Sequence, residues 1–178
     1  MGLRSIVQEV SWSYPSRSMV SLPVLAPATD RWKDEVVCCR LMPEPVLTGG
    51  CLCGGVRFEL SEPPVSAGYC HCTRCQRRTG TAASASARIA PGSLRITAGE
   101  ELIRTYEPPG GFAKDFCSAC GSALWGRNPA DSEVRGIRMG AFDADPGVRP
   151  AHRQFVAYAA PWEPLPDDGL PRFPESRS

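Results

Sequence analysis

The sequence predicts a mainly β protein with little helix, and two kinds of observation support this prediction. Apolar and polar residues alternate in short stretches such as 56–60, which have the two-residue period of a half-buried strand. Glycine and proline separate these stretches, as they do at 91–92 and 108–111. Many short strands divided by such turn residues are typical of an all-β sheet assembly.

In chain order, the strand candidates cover residues 56–60, 83–89, 94–97, 102–106, 113–116, 122–125, 134–142 and 154–158. The second and third flank the Pro91-Gly92 turn, and the fourth ends before the break at 108–111, because proline and glycine favour turns. The fifth and sixth form a hairpin around the last pair of cysteines. Only residues 73–78 indicate a helical turn.

The chain divides into three segments with different patterns. Residues 1–41 show no useful periodicity, and we expect a flexible N-terminal extension or upstream sequence translated from a misassigned start codon. An ordered N-terminal arm is the alternative. Residues 42–162 carry the strand pattern and form the predicted domain. Residues 163–178 are rich in proline and acidic residues, which predicts a tail lying over the surface.

Charge and hydropathy argue against two classes of partner, nucleic acids and membranes. Twenty Lys and Arg against nineteen Asp and Glu leave a formal charge of +1, without the basic excess expected of a nucleic-acid-binding domain. The chain has no apolar run near the roughly 20 residues of a membrane helix. We therefore expect neither nucleic acid nor a membrane as a partner.

Cysteine usage is the strongest chemical signal in the sequence. Of nine cysteines, Cys38 and Cys39 stand apart in the N-terminal segment, and seven remain. Seven thiols cannot all pair within one chain, but they divide into four and three, the ligand numbers of a closed and an open zinc site. Thiols kept free for metal indicate a reducing compartment, hence the cytoplasm.

The first group combines a C-x-C pair, Cys51 and Cys53, with a C-x-x-C pair, Cys117 and Cys120. Each pair is followed by glycine, which accepts turn conformations that other residues resist. Two such pairs can close a tetrahedral zinc site of four sulfurs. An iron–sulfur cluster and a thioredoxin-like redox pair are the alternatives, although the redox interpretation needs a βαβ pattern that the sequence lacks.

The second group is local, with Cys70, Cys72 and Cys75 inside six residues. Three ligands leave a tetrahedral ion one open position, as catalytic zinc sites require. A fourth ligand from His71, His152 or an acidic side chain would instead make a second structural site. His71 lies between two ligands, so its ring is expected to point away from them.

Three arginines follow this group, Arg74, Arg77 and Arg78, at positions that share one face of a helix. Arginine forks match carboxylates, so this face could bind an anionic substrate beside the metal. A solvated face is the alternative, because most arginines are exposed.

Four segments of the sequence resemble motifs of one protein family. They are Gly49-Gly-Cys-Leu-Cys-Gly-Gly-Val-Arg-Phe58, Cys70-His-Cys-Thr-Arg-Cys-Gln-Arg-Arg-Thr-Gly80, Phe116-Cys-Ser-Ala-Cys-Gly-Ser-Ala-Leu124 and the ending at 160–173. The chain resembles the glutathione-dependent formaldehyde-activating enzyme (Gfa) family, also called the centromere-protein-V/Gfa family. The resemblance implies a β-tent fold of several small antiparallel sheets. It also implies two Zn²⁺ per chain, one structural on Cys51, Cys53, Cys117 and Cys120 and one catalytic on Cys70, Cys72 and Cys75.

Three functions follow. The resemblance implies a zinc-dependent carbon–sulfur lyase that adds glutathione to formaldehyde, giving S-hydroxymethylglutathione, and cleaves that adduct. A glutathione or small-thiol binding module without turnover is the second, and a structural zinc domain for protein contacts is the third. His152 and Asp115 are possible general bases, but no sequence argument places either.

The N-terminal segment yields the first testable prediction. A chain that begins at Met42 should fold, bind zinc and melt like the full chain, because residues 1–41 show no core pattern. Thermal melting and metal analysis of the two proteins provide the measurement. A melting temperature several degrees lower in the shorter chain would show that the segment packs on the domain.

Overall fold

The computed structural model describes residues 46–177. The predictions for residues 1–41 lie outside this part of the chain. In the described part, one α-helix, α1 (Thr73–Thr79), and three short 3₁₀-helices accompany eleven strands. The strands are β1 (Leu47–Gly50), β2 (Arg57–Leu60), β3 (Ser66–Cys70), β4 (Ser84–Arg88), β5 (Leu94–Ala98), β6 (Ile103–Tyr106), β7 (Ala113–Cys117), β8 (Ala123–Arg127), β9 (Val134–Arg138), β10 (Pro150–Gln154) and β11 (Arg172–Phe173).

The strands form two sheets, which confirms the mainly β prediction. A three-stranded antiparallel sheet has the order β1-β2-β5. An eight-stranded sheet has the order β11-β10-β3-β4-β9-β8-β7-β6. This sheet is mixed rather than antiparallel throughout, because β10 runs parallel to both β3 and β11. Parallel pairing requires a long crossover, and such a connection leaves no local sequence period.

Two differences from the predicted strands have identifiable structural causes. The prediction of a strand at 154–158 is wrong: β10 ends at Gln154, and Val156–Tyr158 form a 3₁₀-helix. Phe155 between them has φ 60°, in the left-handed region that ends an extended chain. The sequence also gave no sign of β3. Its central Gly68 reads as a strand breaker, but an added Cβ there would come within 2.3 Å of the His152 ring.

The hydrophobic core joins the two sheets. Val56, just before β2, and the alternate β2 residues Phe58 and Leu60 are almost completely buried. They share one cluster with Trp125 of β8 and Ile137 of β9. The Phe58 and Trp125 rings meet edge to face with centroids 5.7 Å apart, a favourable aromatic geometry. Cys51 and Cys117 belong to the same cluster, so core packing fixes the position of two thiols.

The segment after residue 162, predicted as a surface tail, contributes to the large sheet. Its strand β11 pairs with β10. Asp168 accepts hydrogen bonds from the guanidinium of Arg153 at 2.6 and 3.2 Å. Arg153 is only 6% exposed and also lies over the Tyr69 ring, 4.5 Å from its centroid. The Arg153 contact lowers the pKa of the Asp168 carboxyl, which keeps the pair charged near neutral pH.

None of the helices in residues 46–177 is long and apolar enough to cross a membrane.

The Arg153–Asp168 pair yields a stability prediction. Replacing Asp168 by Asn should lower the melting temperature by several degrees at pH 7, because a buried guanidinium loses its carboxylate. Thermal melting of the zinc-loaded protein is the measurement, and Asp167→Asn at the exposed neighbouring position is the matched control. Equal melting temperatures for the two variants would mean that this end of the chain does not stabilise the sheet.

Candidate metal centres and the adjoining cleft

The first candidate centre joins two distant parts of the chain. Cys51 and Cys53 follow β1, Cys117 ends β7, and Cys120 lies in the turn before β8. All four Sγ atoms lie within 4.8 Å of one another. The Cys51 and Cys53 sulfurs are 3.4 Å apart, and those of Cys53 and Cys117 are 3.9 Å apart. Four sulfurs bound tetrahedrally to zinc lie roughly 3.8 Å from one another, so this group fits such an ion.

Tight turns bring each pair of thiols together. The Gly121 N–H donates to the Cys117 carbonyl at 2.8 Å, and the Gly54 N–H donates to the Cys51 carbonyl at 3.0 Å. Both glycines have positive φ, 76° and 74°, which costs other residues conformational energy. The Val56 N–H donates to the Cys51 sulfur at 3.2 Å. Such a bond favours the thiolate, the form that binds metal.

The second candidate centre lies where β3 leads into α1. Cys70 is the last residue of β3, Cys72 caps α1, and Cys75 lies in its first turn. Their three sulfurs lie within 4.8 Å of one another. Contacts with Cys70 and Cys72 hold the pKa of the Cys75 thiol well below its usual range, and contacts with Cys72 and Cys75 raise that of Cys70. Three ionised thiols at this spacing repel one another, so a bound cation would stabilise them.

No fourth histidine, cysteine or carboxylate among residues 46–177 joins this second group. His71 is buried, and its Nε2 lies 3.3 Å from the Arg153 guanidinium. The His152 ring lies against Phe173, with centroids 6.2 Å apart. The Asp115 carboxylate is engaged by Arg127 and by the Thr105 hydroxyl. The structure therefore places none of the sequence candidates for a fourth ligand or general base at the thiols.

A cleft of about 530 Å³ adjoins α1. All three predicted arginines line it, together with residues of β6, β7 and β8 and the loop at 108–109. The strand register explains why the sheet residues of the lining lie together: Tyr106 lies opposite Lys114, and Phe116 lies opposite Ala123. These side chains share one face because strand residues alternate between faces. The lining contains four cations and no carboxylate: Arg74, Arg77, Arg78 and Lys114.

The three arginines differ in their contacts. Arg74 donates to the carbonyl of Pro109 at 3.0 Å and also to that of Gly110, so it holds the cleft loop. Arg78 donates to the carbonyl of Trp125 at 3.2 Å and also to that of Asp115, which ties α1 to the sheet. Burial and the nearby Arg138 lower the pKa of Arg78 to about 10. Arg77 is exposed and has no hydrogen bond or ion pair with another described residue.

Sequence reasoning missed two cations, Lys114 and Arg138. Lys114 could have been found from the alternation of β7, which places it on the face opposite to that of buried Asp115. Arg138 lines a second cleft of about 650 Å³, which shares Arg78 with the first. Its guanidinium donates to the hydroxyls of Ser84 and Ser86, each at 2.8 Å. No local sequence pattern connects Arg138 with the thiols. The connection is through the sheet, in which β4 lies between β3, which ends at Cys70, and β9, which ends at Arg138.

The fold and these sites define a β-rich domain with two cysteine groups able to hold metal ions. The model of the family described as glutathione-dependent formaldehyde-activating enzyme matches residues 46–158, and the chain belongs to this family. A Halomonas elongata protein named "Putative glutathione-dependent formaldehyde-activating enzyme" is 31% identical over 108 residues, which cover 56% of this chain and 68% of that protein. A crystal structure of a Rhodobacter sphaeroides protein is 26% identical, with a TM-score of 0.44, covering 71% of this chain and 99% of that one.

The two cysteine groups should respond differently to substitution. Cys117→Ser should give unfolded or insoluble protein, because zinc binding to a structural site contributes about 10–16 kcal/mol, as much as the whole stability of a domain, about 5–15 kcal/mol. Cys72→Ser should remain folded and lose about one zinc per chain, because its group is local. Circular dichroism and metal analysis are the measurements. Equal collapse of both variants would contradict this division of roles.

Proposed function

We propose that this protein is a zinc-dependent carbon–sulfur lyase that joins the sulfur of glutathione to formaldehyde, forming S-hydroxymethylglutathione, and cleaves that adduct. The observation that carries the proposal is the second cysteine group, whose three thiols have no fourth described protein ligand and adjoin helix α1, which supplies three arginines to a cationic cleft. Membership of the formaldehyde-activating family supports the same reaction.

We propose two zinc ions per chain. Cys51, Cys53, Cys117 and Cys120 would hold a structural ion, since they tie the start of the domain to β7 and β8. Cys70, Cys72 and Cys75 would hold the second ion with one position open to a ligand. A zinc ion bound there would stabilise a thiolate or polarise an aldehyde oxygen as a Lewis acid.

Helix α1 connects the thiols with substrate binding. It carries Cys75 on the metal side, and Arg77 faces the cleft one half-turn further along. A cleft of about 530 Å³ lies within the usual size of small-molecule sites, so a tripeptide would fit. The substrate's carboxylates would bind the cations that line the cleft while its sulfur reaches the thiols.

The addition is balanced without an external redox partner. A carbon–sulfur bond forms, the carbon–oxygen double bond becomes single, and the proton lost from sulfur is replaced by one taken up at oxygen. No histidine or carboxylate among residues 46–177 joins the three thiols, so both protons would exchange with water in the cleft.

The absence of a histidine or carboxylate at these thiols favours a second candidate, a glutathione-binding module without turnover. In either case the partner is a small thiol, and we expect a cytoplasmic location, because free thiols need reducing surroundings.

Binding through sulfur is tested with two ligands. Calorimetric titration of zinc-loaded protein should show weaker binding of S-methylglutathione than of glutathione, because the methyl group blocks the thiolate. Binding of glutathione itself should be weak, since three thiolates already leave a zinc site with a net negative charge. Equal affinities would show that the sulfur does not reach the metal.

Turnover needs its own measurement. Exchange spectroscopy by NMR with ¹³C-formaldehyde and glutathione should show faster adduct formation with wild-type protein than without it. Cys72→Ser, checked for folding, should return the rate to the uncatalysed value. A rate unchanged by wild-type protein, alongside thiol-dependent binding, would favour the binding module.

A further inference from the structure

The cations that line the cleft differ in their hydrogen-bond partners. This difference distinguishes cations that hold the structure from cations that are available to a ligand. Arg74 and Arg78 direct their guanidinium groups to backbone carbonyls of the loop and of β7 and β8. Arg77 and Lys114 have no hydrogen bond or ion pair with any other residue in 46–177. The two groups therefore remain available to a ligand.

Lys114 and Arg77 line the same cleft from two different elements. Lys114 lies on β7, on the face shared with Phe116, and its Nζ is 5.9 Å from the Phe112 ring centroid. Arg77 lies on α1, one turn beyond Thr73 and close to the thiols in sequence. Partial burial lowers the pKa of the Lys114 ammonium, because burial disfavours the charged form. Both cations would attract an anion bound in this cleft.

We propose that Lys114 and Arg77 form an anion-binding pair that holds a carboxylate of the thiol substrate. The inference rests on the proposed function and deepens it. Lys114 is then a specificity residue that selects thiols bearing a carboxylate over uncharged thiols. Arg74 and Arg78 shape the cleft and act on the ligand only through its walls.

The test uses the full, zinc-loaded chain and three ligands: glutathione, its diethyl ester and inorganic phosphate. Lys114→Met should raise the Kd of glutathione by about tenfold, the effect of losing one charge-assisted contact. The same variant should leave the Kd of the ester nearly unchanged, because the ester has no carboxylate to lose. Lys114→Arg should largely restore glutathione binding. Arg88→Met, which removes an exposed cation of β4 outside the cleft, is the matched control.

The outcomes separate the inference from the proposed function. If Lys114→Met weakens glutathione and the ester equally, the residue has a structural role and the inference is wrong. If that variant binds glutathione like wild type while glutathione still outcompetes S-methylglutathione, the inference fails and the proposed function stands. If both of those ligands bind wild type equally but lose tenfold in Lys114→Met, the anion pair stands and the thiol chemistry fails. Phosphate binding as tight as that of glutathione would overturn the assignment to a substrate carboxylate.

Discussion

The convergence of four thiols from two distant turns is the constraint on which the rest of the domain depends. Cys51 and Cys117 are separated by more than sixty residues, yet their sulfurs share one small volume inside the hydrophobic cluster. Burial of Phe58 against Trp125 brings the three-stranded sheet onto the large sheet at this point. Mutual repulsion of ionised thiols would oppose that packing, whereas a cation among them would reinforce it. We therefore expect metal binding and core formation to be coupled.

Helix α1 is held in place at both ends, and it lines one side of the cleft. It is too short to be stable alone, since isolated helices of this length are marginal in water. Its first turn is fixed by Cys72 and Cys75, and its last turn is fixed by Arg78, which reaches the carbonyls of the sheet. Gly80 ends it in the left-handed conformation. The positions of the three cleft arginines thus follow from contacts made at both ends of this seven-residue helix.

Strand β10 of the large sheet supports the loop that carries Cys70 and Cys72. Arg153 of β10 contacts His71, the residue between Cys70 and Cys72, and is held in turn by Asp168. The His71 N–H also donates to the Gln154 carbonyl at 3.0 Å. These contacts fix the loop without adding a ligand to it. His71 therefore fixes the position of the loop between two candidate ligands.

The sequence by itself determined the mainly β class, the two cysteine groups and the arginine face, because each is written in local spacing. C-x-C and C-x-x-C pairs leave few ways to arrange their sulfurs, and the i, i+3, i+4 spacing of the arginines fixes their common face. Only the tertiary structure decided which strands pair in parallel, why Gly68 must lack a side chain, and that the segment after residue 162 adds β11. It also placed Lys114 in the cleft that α1 lines, and it directed the guanidinium groups of Arg74 and Arg78 to backbone carbonyls. Those features arise from contacts between residues far apart in the chain, and such contacts leave no period in the sequence.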